Sequence, residues 1–351
     1  MRHLVIEHDL IQILATPEPW NKFNGKTVLI TGGNGFLPAY MVETLLCRNE
    51  QIASQDRTKV VVLVRNEEKA RQRFLHYNGR SDLIYLVQDV SKAIECTSRV
   101  DFIVHAASQA SPKYFGSDPV GTINANVLGT INALNLSERN RQSKLLFFSS
   151  GEVYGNIRED LIPTKETNYG PVDPMDVRSC YAESKRLGEA LCTAWSSQRG
   201  VHTVVVRPFH TYGPGMSLTD GRVFADFVAD IVNRRDIVMR SDGSARRAFC
   251  YLADATVGFF TALLLGQTGT AYNVGNPTAE ISIRELAEVL SKLIPDRHVA
   301  VVRSSGQHTE SAYLKSNISR NSPDVARIAE LGWKPTTPIQ DGFARTIRSF
   351  L

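Results

Sequence analysis

TVLITGGNGFLPAY, residues 27–40, sets a five-residue apolar run, Thr27 to Thr31, directly against a glycine-rich turn and the opening of a helix. A turn of this kind, joining a buried strand to a helix, lets backbone N–H groups approach a pyrophosphate at the helix start. Gly32, Gly33 and Gly35 suit that task, with Asn34, Phe36 and Leu37 beside them. Taken alone the turn is also just a tight connection. Opening the first unit of an alternating chain, it predicts dinucleotide binding.

Outward from this stretch, short apolar runs recur at Val60 to Val64, Leu83 to Val87, Asp101 to His105, Leu145 to Ser149 and Thr203 to Arg207. Continuous runs of that length suit strands buried on both faces, as in a parallel sheet. Between them lie segments with helical spacing, among them Phe36 to Arg48, Val120 to Asn140 and Glu183 to Gln198. The alternation predicts an α/β fold, a Rossmann-type doubly wound parallel sheet with ligands at the carboxyl ends of its strands. A smaller C-terminal substrate-binding domain is expected to complete it. The boundaries read as an extension over 1–25, a dinucleotide-binding domain over 26–209 and 251–275, and a substrate-binding domain over 210–250 and 276–351. In the extension, LIQILATPEPW has helical spacing stopped by prolines. Ser304 to Ser322 is polar and reads as loop.

Composition narrows the function. A formal charge of +4, from 40 basic and 36 acidic residues, is small and well mixed, which argues against nucleic acid as a partner. Five scattered cysteines lack metal-ligand spacing, so no metal is expected, and they fit reduced thiols in a cytoplasmic protein. The apolar runs are too short to span a bilayer, so no membrane partner is expected.

The second strand ends in VVVLVRN, with Arg65 where a carboxylate would hold the ribose hydroxyls of NAD. Such a guanidinium either meets a 2′-phosphate, as in NADP, or is a solvated charge. Asp89, followed by Val90, is either a partner for an adenine amine or a turn residue. Farther along, Tyr181 and Lys185 stand four apart in SCYAESK, on one face of a helix. An ammonium near a phenol lowers the phenol's pKa and makes it a general base for an alcohol.

These motifs together resemble the extended short-chain dehydrogenase/reductases, in their nucleotide-sugar epimerase, dehydratase and decarboxylase branch. The resemblance runs from about Lys26 onward and rests on TGGNGF, HAAS (His105 to Ser108), NVLGT, SSGEVYG, CYAESK, RPFHTYGPG, DGRVF, RRAFCYLAD, YNVGNP and LGWKP. It implies a bound nicotinamide cofactor, NAD, with NADP left open by Arg65. His105, Ala106, Ala107, Lys185 and Pro208 join the glycine turn in holding it. It also implies that Ser150, Tyr181 and Lys185 oxidise a sugar hydroxyl, usually at C4, and that the chain is a homodimer built on the helices around 120–140 and 183–198.

Within that branch, Ser150-Gly151-Glu152 is the informative triplet. The dehydratases place an aspartic acid where Gly151 stands, and glycine cannot protonate a leaving hydroxyl. UDP-glucuronate decarboxylases carry the glutamate without that acid, and a 4-ketone beside a C5 carboxylate loses CO2 readily. The resemblance therefore implies a decarboxylase-like reaction on a UDP-uronate, with Glu152 orienting the sugar or handling a proton at C5. A 4,6-dehydratase or C4 epimerase is the alternative, and a non-catalytic dinucleotide-binding sensor is the reading from another class. Ser108, Gly151, His210, Arg222 and Arg247 are the expected substrate contacts, His210 as a pH-sensitive ligand contact or as a packing residue. Departures from the family are Pro38 at the third glycine of the turn, His210 for asparagine and Gly215 for arginine.

Overall fold

The protein is described by a computed structural model covering residues 2–140, 143–303 and 318–351. Six strands, β1 (Thr27–Thr31), β2 (Lys59–Val64), β3 (Leu83–Val87), β4 (Phe102–His105), β5 (Lys144–Phe148) and β6 (His202–Pro208), form a parallel sheet with a seventh at Thr270–Val274. From one edge the order is Thr270–Val274, β6, β5, β4, β1, β2, β3. The order reverses beside β1, so the carboxyl ends of β1 and β4 flank a crevice, the usual seat of a ligand in such sheets. β1 and β5 are almost wholly buried, as continuous Val, Leu, Ile and Phe runs require.

Helices cover both faces: α1 (Leu4–Leu14), α2 (Phe36–Asn49), α3 (Glu67–Arg73), α4 (Pro112–Ser117), α5 (Pro119–Arg139) and α6 (Ser179–Arg199). The predicted strands and helices lie within a few residues of these bounds, with α6 reaching back to Ser179. Pro38 sits third in α2 and breaks nothing, because the next bond, Ala39 N to Gly35 O at 3.0 Å, is intact. A glycine, Gly188, lets α6 approach the sheet: a Cβ there would stand 2.3 Å from the Phe147 ring.

Short sheets pair segments from the two C-terminal stretches. Arg246–Ala248 pairs with Glu280–Ser282 and Arg320–Asn321, and Ile237–Met239 with Val301–Arg303. The strand at Arg320–Asn321 corrects the loop expected over 304–322, since two of those residues pair in register with Arg246 and Arg247; residues 304–317 lie outside the described residues.

The N-terminal extension is a docked helix. It starts at Leu4, earlier than the apolar spacing from Leu10 suggests, because His3 caps it through Nδ1 to Val5 N. Its Asp9 is fully buried and accepts hydrogen bonds from Tyr251 Oη at 2.6 Å, Tyr40 Oη at 3.0 Å and Arg345 Nη1 at 3.3 Å. Those donors come from α2, the Cys250–Tyr251 strand and the Ile339–Arg348 helix, so one carboxylate ties three elements. Leu10 and Ile13 pack in the same cluster as Phe224, Phe249 and Phe343.

Candidate active site

A cleft of about 780 Å³ opens at the carboxyl ends of the strands, between the sheet and the C-terminal segments. Its floor is the glycine turn. Gly32 has φ +62°, and a Cβ on it would lie 2.8 Å from Ala107 Cα, so only glycine brings this turn so close to the strand-end loop of β4. Thr31 Oγ1 fixes that loop by accepting from Ala106 N at 3.2 Å and Ala107 N at 3.1 Å. This narrow, backbone-lined floor fits a pyrophosphate.

Two expected contacts do not line the cleft. Gly33 lies behind it, where a Cβ would meet Val62 Cγ1 at 2.6 Å, and its role is close packing of turn on strand. His105 lies beneath the floor, with Nδ1 2.8 Å from Thr31 Oγ1. Burial, aided by the Lys185 charge, pushes its imidazole down to about 3, so it is neutral and structural. The remaining expected residues, Gly32, Asn34, Gly35, Phe36, Leu37, Arg65, Asp89, Val90, Ala106, Ala107, Ser108, Ser150, Gly151, Glu152, Tyr181, Lys185, Pro208, His210, Arg222 and Arg247, all line it.

Tyr181 and Lys185 project from α6 into the cleft, each nearly fully buried. Burial pushes the Tyr181 phenol up to about 12, opposed by a hydrogen bond with Ser150 and the Arg222 charge, and reinforced by the Glu152 charge. The Lys185 Nζ is turned to the sheet, donating to Phe148 O at 2.6 Å and lying 5.8 Å from the Tyr181 ring centre. Burial lowers this ammonium to about 7, with Glu189 opposing. Ser150 and Arg222 both favour the phenolate in this arrangement. One turn farther along α6, Glu189 pairs with the buried Arg207 at 2.6 Å and anchors the helix.

Glu152 sits in a 3-10 turn, Gly151–Tyr154, whose entry is fixed by Glu152 N donating to Ser150 Oγ at 3.2 Å. Its carboxylate faces the cleft and pairs with Arg178 at 3.4 Å. Gly151 packs below it, where a Cβ would be 3.2 Å from the Phe209 ring. Arg178 escaped the sequence reading, although its place three residues before Tyr181, one helical turn away, was the available signal. Its guanidinium lies 6.0 Å from the Phe115 ring centre, and Phe115 stacks on Tyr181 at 4.9 Å.

On the far wall, Arg222 pairs with Asp220 at 3.0 Å and donates to Ala110 O. Arg247 donates to Ile318 O at 2.7 Å and Arg246 O at 2.8 Å. Between them His210 is held neutral: burial, then the two arginine charges, lower its pKa well below the usual histidine value. Ser108 Oγ is buried without a hydrogen-bond partner among the described residues, a donor still to be satisfied by a ligand or water.

Residues 28–275 match the NAD dependent epimerase/dehydratase family. The chain is 32% identical to UDP-glucuronic acid decarboxylase 1 of Xenopus tropicalis over 327 residues, covering 93% of this chain and 72% of that protein. It is 32% identical to UDP-glucuronic acid decarboxylase 6 of Arabidopsis thaliana over 318 residues, covering 90% and 86%. Among solved structures, UDP-glucose 4-epimerase of Thermotoga maritima with UDP-glucose superposes with a TM-score of 0.78 at 20% identity, over 92% of this chain and 98% of that one.

Proposed function

The chain belongs to the NAD dependent epimerase/dehydratase family, and we propose that it acts on a nucleotide-linked hexuronate, oxidising C4 and releasing the C5 carboxylate as CO2. The observation that carries this reading is the pairing of Glu152 with Arg178 beside the Tyr181 phenol, with a glycine in the adjoining position. Elimination of a hydroxyl calls for an acid at this position, and Gly151 offers none; a Cβ there would stand 3.2 Å from the Phe209 ring, so any larger residue requires the ring to give. The relatives named above are UDP-glucuronic acid decarboxylases, which supports the same substrate class.

The family's cofactor is NAD. Gly32, Gly35, Ala106 and Ala107 would hold its pyrophosphate, and when bound it accepts a hydride from the sugar and returns it. The protein's own groups do the rest. Tyr181, as the phenolate, takes the C4 hydroxyl proton, and Ser150 donates to that phenolate. Lys185 is held by Phe148 O at the carboxyl end of β5. The resulting 4-keto acid loses CO2, leaving an enolate that is protonated at C5; Glu152 and Arg178 orient the ring for that step. Arg222 and Arg247 meet the diphosphate, guanidinium matching phosphate geometry.

Incubation with UDP-glucuronate and cofactor should release one CO2 per sugar. Turnover of a UDP-hexose without CO2 would instead favour a 4-epimerase, and loss of water a 4,6-dehydratase. A non-catalytic sensor is disfavoured by the intact Tyr181, Lys185 and Ser150 set in one cleft.

The lobes divide near 209 and 251–275, as the strand pairings suggest. Helices α5 and α6 pack side by side, and α5 leaves Val120 65%, Ile123 41% and Leu128 42% exposed, with Leu187 of α6 47% exposed. This apolar face supports a homodimer. The five unpaired cysteines are consistent with a reducing, cytoplasmic compartment. No helix among the described residues is long and apolar enough to cross a membrane.

A further inference from the structure

The adenosine end of the cleft is chemically unlike its glycine floor. β2 stops at Val64, and the residues just beyond it that line the cleft are Arg65, Asn66 and Lys69. The register Val64 to Val87 sets this strand end against that of β3, so Arg65 and Asp89 share one corner.

A ribose diol offers two O–H donors, and in NAD sites a carboxylate at this strand end accepts them. Of the three side chains here, Arg65 and Lys69 carry donors only. Asn66 Oδ1 already accepts from Lys69 N at 2.8 Å, capping α3. Neither the Arg65 guanidinium nor the Lys69 ammonium has a hydrogen bond or ion pair with another described residue. The other arginines of α3 are engaged elsewhere, Arg71 with Glu67 at 2.6 Å and over the Tyr85 ring, Arg73 beside Glu43 at 3.9 Å. Glu67 is thereby tied along the helix, and neither it nor Glu68 lines the cleft. Two carboxylates lie within reach of the Arg65 charge, Asp89, which accepts from Ser91 N at 2.8 Å, and Asp118, which accepts from Gln109 Nε2 at 2.8 Å and Gly121 N at 3.0 Å, but neither is hydrogen-bonded to the guanidinium.

Two cations with donors only, neither held by a direct hydrogen bond to a carboxylate, are a poor match for a diol and a good one for a dianion. A phosphomonoester is all acceptors, and a guanidinium meets it in fork geometry while an ammonium adds point charge. We propose that this end of the cleft receives a 2′-phosphate on the adenosine ribose, so that the chain takes NADP(H) in preference to NAD(H). The inference rests on the cleft being a nicotinamide dinucleotide site, and it parts from the family's cofactor only at this corner.

Calorimetric titration of nucleotide-free protein at fixed salt tests it, with NAD+, NADP+, 5′-ADP and 2′,5′-ADP as ligands. NADP+ should bind about tenfold or more tighter than NAD+, and 2′,5′-ADP should exceed 5′-ADP by a similar factor. Arg65→Asp should reverse the order, and Lys69→Ala should narrow the gap several-fold. NAD+ binding as tightly as NADP+ in the wild-type protein overturns the preference while leaving the dinucleotide reading intact. Failure of every ligand to bind overturns both.

Discussion

The Arg178 guanidinium and the Glu152 carboxylate stand 3.4 Å apart at the cleft wall, with Arg178 one turn ahead of Tyr181. The pair is partly exposed, so its worth lies in orientation rather than stability. Glu152→Gln should abolish formation of the decarboxylated sugar product while leaving dinucleotide affinity within about twofold, since the change keeps shape and removes charge. Arg178→Met should lower kcat for the same step and spare reduction of the cofactor. Stopped-flow absorbance of the reduced nicotinamide, set against CO2 release, separates the two steps.

The phenol sets the pH dependence of oxidation. Because burial holds Tyr181 at about 12, the phenolate fraction rises tenfold per pH unit through the neutral range, and so should the single-turnover rate. Glu152 raises this pKa, so Glu152→Gln should increase the oxidation rate at a given pH even as product is lost. Ser150→Ala should move the profile to higher pH. Tyr181→Phe should cost about 10²- to 10⁴-fold.

Gly32→Ala should weaken dinucleotide binding strongly. The residue has φ +62°, and its new Cβ meets backbone, Ala107 Cα at 2.8 Å, which cannot swing aside. Calorimetry on the variant is the check, with thermal melting to show that the fold persists.

His105 makes an acid-stability prediction. Its pKa in the folded chain is lowered to about 3 against 6.5 unfolded, so the unfolded state binds the extra proton between those values. Its contribution is complete above about pH 6.5 and is lost as pH falls toward 3, at about 1.4 kcal/mol per pH unit. Urea titrations from pH 7 to 4.5 should show His105→Asn with a slope shallower by that amount.

Asp9→Ala should destabilise the protein by about 3–5 kcal/mol, the scale of removing one partner from a buried charged set. It strands Tyr40, Tyr251 and Arg345 together. Asp9→Asn should lose less. Urea unfolding monitored by tryptophan fluorescence reads both.

The sheet was legible because β1, β2 and β5 are continuous apolar runs, each ended by a turn residue with an evident task. Tyr181, Lys185, Ser150 and Glu152 were legible through spacing and motif. What spacing could not supply was orientation. Nothing in SCYAESK says that Lys185 turns to a strand carbonyl, or that His105 faces down to Thr31 rather than up to the cleft. Phe115 was missed because it enters from a chain segment whose convergence only the three-dimensional packing decides, whereas Arg178 and Lys69 stand three and four residues from Tyr181 and Arg65 and were within reach of spacing. Asp9 carries no sequence signal of its role, since its donors lie as far off as Arg345.

That last separation, 336 residues between Asp9 and Arg345, bears on how the chain matures. During synthesis α1 emerges well before the Ile339–Arg348 helix that supplies Arg345 to its buried carboxylate. Until then the Asp9 carboxylate lacks one of its three donors, so a ribosome stalled short of residue 339 leaves a buried charge under-partnered.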